Sequence, residues 1–255
     1  MRIFLAIASV LLVSLIFITS ALVHMPAAVM WDMVSKTADL RSMPVQPQQL
    51  SGTIWDGAAL AVVQQTGERV LIDWKLSVSS LLFGDEFVQT QVRTRGIDLT
   101  VGATTTASVA DLNVSGSIDL DLFKPILSQN RLQVGGLVDV RNVQARYDFN
   151  NEQLLSADGN LYWPGGRVSY PVGANDQTAD IPALRGDLGQ TSGQPSLDLV
   201  LNDTGAKLLS AVLEPGMTLA LQVRKRMLDV AGAPYSDRAD ADAIVFRLKQ
   251  PLVRP

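Results

Sequence analysis

The chain has 255 residues, 47% hydrophobic and 18% charged, which excludes the disordered and fibrous classes and leaves one large domain or two small ones. A net charge of −4 with Lys and Arg scattered along the chain gives no basic footprint for nucleic acid. With no cysteine and a single histidine, His24, disulfides, thiolate metal sites and thiol catalysis are excluded, and imidazole catalysis has one badly placed candidate.

The first element is the uncharged run from Ile3 to Val23. At ~1.5 Å per residue it reaches about 31 Å as a helix, against roughly 30 Å of bilayer hydrocarbon. The core of a cleaved signal peptide is shorter, ~7–15 residues. Thr19-Ser20-Ala21 supplies that rival its cleavage site, and an uncleaved anchor is the reading adopted. Arg2 and the free N-terminus keep the short end cytoplasmic, so everything after Met25 is exported, in a Gram-negative cell to the periplasm. Residues 1–25 are read as the cytoplasmic end and anchor. His24 is an interfacial polar residue at its end.

Residues 26–49 read as a tether, partly helical. Pro26 suits a first helical turn. Met30, Met33 and Val34 then share a face, and Trp31 is placed among lipid headgroups. "MPVQPQQL" (43–50) is a proline-spaced linker.

From Leu50 the period is two, and residues 50–255 are read as one periplasmic β-domain. Val70, Ile72, Trp74, Leu76 and Val78 alternate with Leu71, Asp73, Lys75 and Ser77. Val88, Thr90 and Val92 continue the pattern, then Ile97, Leu99 and Val101. Ile118, Leu120 and Leu122 alternate with Asp119 and Asp121. The pattern resumes at Val143–Phe149, Val168–Val172, Leu197–Leu201, Leu219–Val223 and Ile244–Leu248. Asn202, Asp203 or Thr204 is expected to cap a short helix carrying Leu208, Leu209, Val212 and Leu213. "LFKPILSQ" (122–129) adds a turn at a strand end, and Arg224-Lys225-Arg226 reads as a solvated strand face. The fold class is mainly β: an elongated, curved antiparallel meander whose apolar faces cover one another or line a groove, preceded by one transmembrane helix.

Catalytic candidates fail in turn. "FGDEF" (83–87) lacks the second glycine and the α/β frame of a nucleotide-cyclase signature. Asp237, Asp240 and Asp242 lack the glycine and terminal glutamate of a calcium loop. Asp119 and Asp121 form an ordinary surface pair, and "NDTGAKLL" lacks the strand-loop-helix frame of a phosphate loop. No catalytic, cofactor or metal residue is assigned. What remains is binding: strand edges for a partner, or a groove for lipid.

"LSGTIWDGAALAV" (50–62) followed by "LIDWKLSVSSLLFGDEF" (71–87) resembles the signature region of the type II secretion system protein N family. The matching positions are Pro26, Gly52, Thr53, Ile54, Trp55, Gly57, Trp74, Leu76, Leu81, Leu82 and Gly84. The resemblance implies a non-enzymatic, single-pass accessory component of the inner membrane, without cofactor. It would contact other type II secretion components through its periplasmic domain. The same Gly-x-x-Trp-x-Gly is similar to AsmA-like lipid-handling proteins, whose curved sheets hold acyl chains. That alternative would make the chain a lipid-binding or lipid-transfer module. In either reading the signature residues are structural. Gly52 and Gly57 bracket Trp55, a packing anchor where the chain enters the sheet.

Overall fold

The computed structural model describes residues 24–37, 45–63, 67, 69–77, 88–106, 108–129, 131–151, 153–173, 175–216, 218–236 and 238–251. The expected anchor Ile3–Val23 and "FGDEF" lie outside them. Among the described residues, no helix is long and apolar enough to cross a membrane. The chain divides into two compact units, up to Thr94 and from Arg95 onward. Both are antiparallel β-sheet.

The first unit opens with helix α1 (Ala27–Thr37). Strands β1 (Val45–Gly52), β2 (Asp56–Val63), β3 (Arg69–Leu76) and β4 (Val88–Arg93) follow as a meander in sequence order. β1 starts inside the segment read as a tether. It was illegible because "VQPQQLSG" carries no apolar alternation and contains Pro47, where the β1–β2 register shifts by one residue. An edge strand tolerates this, since its outward N–H groups need no partner.

The second unit is a sheet of β5 (Ile97–Thr105), β6 (Val109–Asp119), β7 (Leu137–Asp148), β8 (Gln153–Trp163), β11 (Leu184–Thr191), β12 (Gln194–Leu201), β13 (Lys207–Glu214), β14 (Thr218–Arg224) and β15 (Ile244–Pro251), in that spatial order. The intervening β9 (Gly166–Val172) and β10 (Asn175–Ile181) form a separate hairpin. A 3-10 turn (Leu120–Phe123) runs into α2 (Lys124–Gln129), and α3 (Lys225–Ala231) interrupts the chain between β14 and β15.

Three expectations are corrected here. Leu120 and Leu122 do not extend β6: the Asp119 carboxylate accepts the Asp121 N–H at 2.9 Å and turns the chain. The helix expected over Leu208–Leu213 is β13. Leu208 is the extra residue where the β12–β13 register shifts, and that bulge makes the apolar spacing look helical. Asn202–Thr204 sit in the hairpin turn before it, closed by the Gly205 N–H on the Leu201 carbonyl at 2.8 Å. Finally, Lys225 is not on a solvated strand. It opens α3, is buried, and pairs with Asp229 at 2.7 Å.

The core of the second unit gathers Trp163, Ile181, Leu184 and Leu208. Met227, Val230 and Ala231 of α3 pack on it, as do Val168 and Ala179 of the hairpin. The Tyr170 hydroxyl donates to the Ala231 carbonyl at 2.6 Å and ties these two covers together. β7 carries a one-residue bulge against both neighbours. Asn142 takes a left-handed φ of 47° there, which asparagine tolerates better than most residues. Gly159 faces it across the β7–β8 pair, where a Cβ would come within 2.7 Å of the Val143 Cα.

Candidate functional site

The signature residues that the structure describes come together in one place. β1 ends at Gly52 (φ 78°), and Thr53 closes the turn into β2. Its N–H donates to the Asp56 carbonyl at 2.8 Å, and its Oγ1 accepts the Asp56 N–H at 3.1 Å and the Trp55 N–H at 3.3 Å. The turn is then gripped from two sides. The Ile54 N–H donates to the Met25 carbonyl at 3.1 Å, and Pro26 bridges to Thr53, which fixes the start of α1. On the other side, the Leu76 N–H donates to the Trp55 carbonyl at 2.6 Å, and the Trp74 indole N–H donates to the Ile54 carbonyl at 3.1 Å. The Trp74 ring lies on Gly57, where a Cβ would come 2.5 Å from the ring. Only glycine leaves room for the indole.

Pro26, Gly52, Thr53, Ile54, Trp55, Gly57, Trp74 and Leu76 thus form a clasp of helix start, hairpin turn and strand end. Trp55, expected as a packing anchor, is half-buried, as is Trp74, whose ring lies against Gly57. Leu81, Leu82 and Gly84 lie outside the described residues. The sequence pattern pointed to this cluster but not to the Met25 carbonyl, because a backbone acceptor has no residue signature.

The second feature is the contrast between the two faces of the second unit's sheet. Direct partners Leu99, Gly116, Val140, Leu161, Gly186, Leu199, Leu209, Val223 and Phe246 form one apolar row from β5 to β15. Where the row meets α3 and the hairpin it is covered. Leu199 packs there; elsewhere Leu161, Leu209 and Val223 stay half-buried, and Phe246 on the edge strand is 53% exposed. A second layer would bury such side chains completely, so among the described residues this part of the face is open.

The opposite face is a ladder of ion pairs: Asp111–Arg146, Asp139–Arg141, Arg185–Asp187 and Asp198–Lys207. The Arg141 guanidinium also stacks 4.7 Å above the Tyr162 ring. Burial alone would raise the Asp198 carboxyl, but hydrogen bonds from Lys207 and Ser210, with the charges of Lys207 and Arg224, outweigh it. The carboxyl is held below its ordinary value. The Asp148 carboxylate is lowered too, by the Asn151 side-chain amide and then the Asn150 N–H.

Among the described residues no cluster of three or more His, Cys, Asp or Glu is arranged to hold a metal ion. Asp119 caps a turn, and Asp121 pairs with Lys124 at 2.7 Å. Asp242 pairs with Arg226 at 3.1 Å, and Asp237 lies outside the described residues.

The fold and these two features define a class: an open antiparallel β-protein whose distinctive residues build a joint and an apolar surface. Within it, the chain belongs to the type II secretion system protein N family, whose model matches residues 43–240. The resemblance drawn from residues 50–84 is therefore borne out over most of the chain. It is similar to the type II secretion system protein N of Vibrio cholerae serotype O1 (strain ATCC 39315 / El Tor Inaba N16961), with 27% identity over 178 residues. That match covers 64% of this chain and 64% of the relative. No solved structure matches.

Proposed function

We propose that the chain is a non-enzymatic, single-pass accessory component of the inner membrane, serving type II secretion through a periplasmic β-domain. Family membership supports the secretion role. The uncharged run Ile3–Val23 supports the anchor. The observation that carries a contact role is the asymmetry of the second sheet, one face ion-paired and the other apolar and open to the edge at Phe246. Such a surface works by binding other secretion components rather than by turnover.

The test places a photoreactive amino acid at Phe246 in secreting cells. Adducts with named secretion components are expected at this position, and none at exposed Lys249, which faces the opposite side of β15 and pairs with Glu214. Adducts with lipid alone, or none, defeat the proposal. Alkaline carbonate washing tests the anchor, since the full chain stays with the membrane and a chain lacking Ile3–Val23 does not.

The open apolar row also favours a second reading, a lipid-binding or lipid-transfer module. That reading expects stoichiometric phospholipid in native mass spectrometry of the purified chain. It also expects loss of that lipid when Leu209 or Val223 is replaced by Asp. Lipid-free protein that still crosslinks to secretion components sets this reading aside.

A further inference from the structure

We infer that the outward face of α1 is a membrane-contact surface, and that the clasp fixes the first sheet to it. The inference rests on reading Ile3–Val23 as an anchor. The inward side of α1 is settled by burial: Ala27 is 6% exposed, and Trp31 is half-buried. Trp31 therefore faces the protein, not the headgroups where the sequence placed it. The opposite side presents Val29, Met30 and Met33, which are 47%, 42% and 57% exposed. At 100° per residue these three fall within one quarter-turn or so of the helix. The Asp32–Lys36 pair, at 2.5 Å, flanks them on the same outward side.

Half of the outward surface is thus apolar on a helix that could have been polar at no packing cost. A scattered exposed apolar residue needs no explanation, but a contiguous patch on a short helix marks a binding surface. Its place in the chain selects the occupant. Only His24, Met25 and Pro26 separate α1 from the end of the uncharged run at Val23. Three residues reach about 10 Å when extended, so α1 cannot leave the headgroup region of a bilayer spanned by that run. A helix there with one apolar side lies in the interface with that side towards the acyl chains, its charged pair at headgroup level.

The clasp adds the mechanical half of the inference. The Met25 carbonyl accepts the Ile54 N–H of the β1–β2 turn and Pro26 bridges to Thr53, so the start of α1 is held to the first sheet. Residues 26–49 therefore do not act as a free tether, at least at their membrane end.

The absence of cysteine makes the test direct. Full-length chains carrying Met30→Cys, Met33→Cys or, as control, Gln89→Cys on β4 receive an environment-sensitive fluorophore. They are then reconstituted into phosphatidylethanolamine–phosphatidylglycerol vesicles. Emission at 30 and 33 is expected to shift to the blue, to be quenched by nitroxides on lipid chains and to be shielded from aqueous iodide. The label at 89 should behave as in water. Labels at 30 and 33 that iodide reaches as readily as 89 overturn the inference. So does shielding from iodide without quenching by lipid, which would mean a protein cover such as a second copy. If either result comes from chains that resist carbonate washing, the anchor reading survives. If the chains wash off, the anchor reading falls and this inference with it.

Discussion

Two tryptophans show how differently one device serves the two units. Trp74 and Trp163 each donate an indole N–H to a backbone carbonyl, Ile54 at 3.1 Å and Gly135 at 3.0 Å. Each also lies against glycine: Gly57 under the Trp74 ring, Gly136 and Gly166 beside Trp163. Trp163 is 8% exposed and sits in the core beneath α3 and the β9–β10 hairpin. Trp74 is half-buried and holds a turn to a helix start. The same aromatic clamp thus serves as a keystone in one unit and as a latch in the other. Burial sets the strength of such a clamp, and the N–H bond sets its direction.

The contrast can be broken by truncation. Trp163→Ala should cost about 3–5 kcal/mol, the range for emptying a core aromatic site, and lower the denaturant midpoint of the second unit. Trp74→Ala should cost roughly half as much and act on the first unit alone. Equal losses would erase the distinction between keystone and latch.

A subtler change tests the latch by overfilling it. Gly57→Val drives a side chain into the Trp74 ring and should cost about 1–3 kcal/mol. Hydrogen exchange should show lost protection at the Ile54 and Leu76 amides, while the amides of β11–β13 keep theirs.

Phenylalanine at each position isolates the hydrogen bond. Trp74→Phe should cost about 0.5–1.5 kcal/mol. Trp163→Phe should cost more, because the Gly135 carbonyl has less access to replacement water. Thermal midpoints of the paired variants give that difference.

The smallest effect concerns the ion-paired face of the second unit, whose pairs are exposed and individually weak. Asp198 has a lowered carboxyl in the folded chain, so the unfolded chain takes up its proton first as pH falls. Its stabilisation is present above the ordinary carboxylate value of 3.8 and is lost as pH drops through the lower folded value. Urea melts of wild type and Asp198→Asn should therefore differ slightly at neutral pH and converge in acid. A pair this exposed contributes no more than about 1 kcal/mol.

The sequence was most legible where strands alternate without interruption. Val88–Val92, Ile97–Val101 and Leu219–Val223 lie on the strands their pattern predicts. It misled where one residue is added or a cap intervenes. The bulge at Leu208 turned a strand into an apparent helix, and the Asp119 cap stopped β6 short of Leu120. β1 was hidden by glutamines and Pro47, and β10, "NDQTADI", by the lack of any apolar run. The clasp was legible as a set of residues but not as a joint. Its key acceptors, the carbonyls of Met25, Ile54 and Trp55, belong to the backbone.

The bulge at Asn142 has a consequence for how the sequence is written. Before it, the apolar positions of β7 are even-numbered, Val138 and Val140; after it they are odd, Val143, Ala145 and Tyr147. Asn142 acts as a phase correction, one extra beat that keeps both halves of the strand in step with the same dry side. Deleting it would restore an unbroken count along β7 while turning half of the strand over. Val143 and Ala145 would then face the ion-paired ladder and Arg146 the leucines. A single residue, skipped in the register with both neighbours, thereby decides which face of β7 carries its apolar side chains.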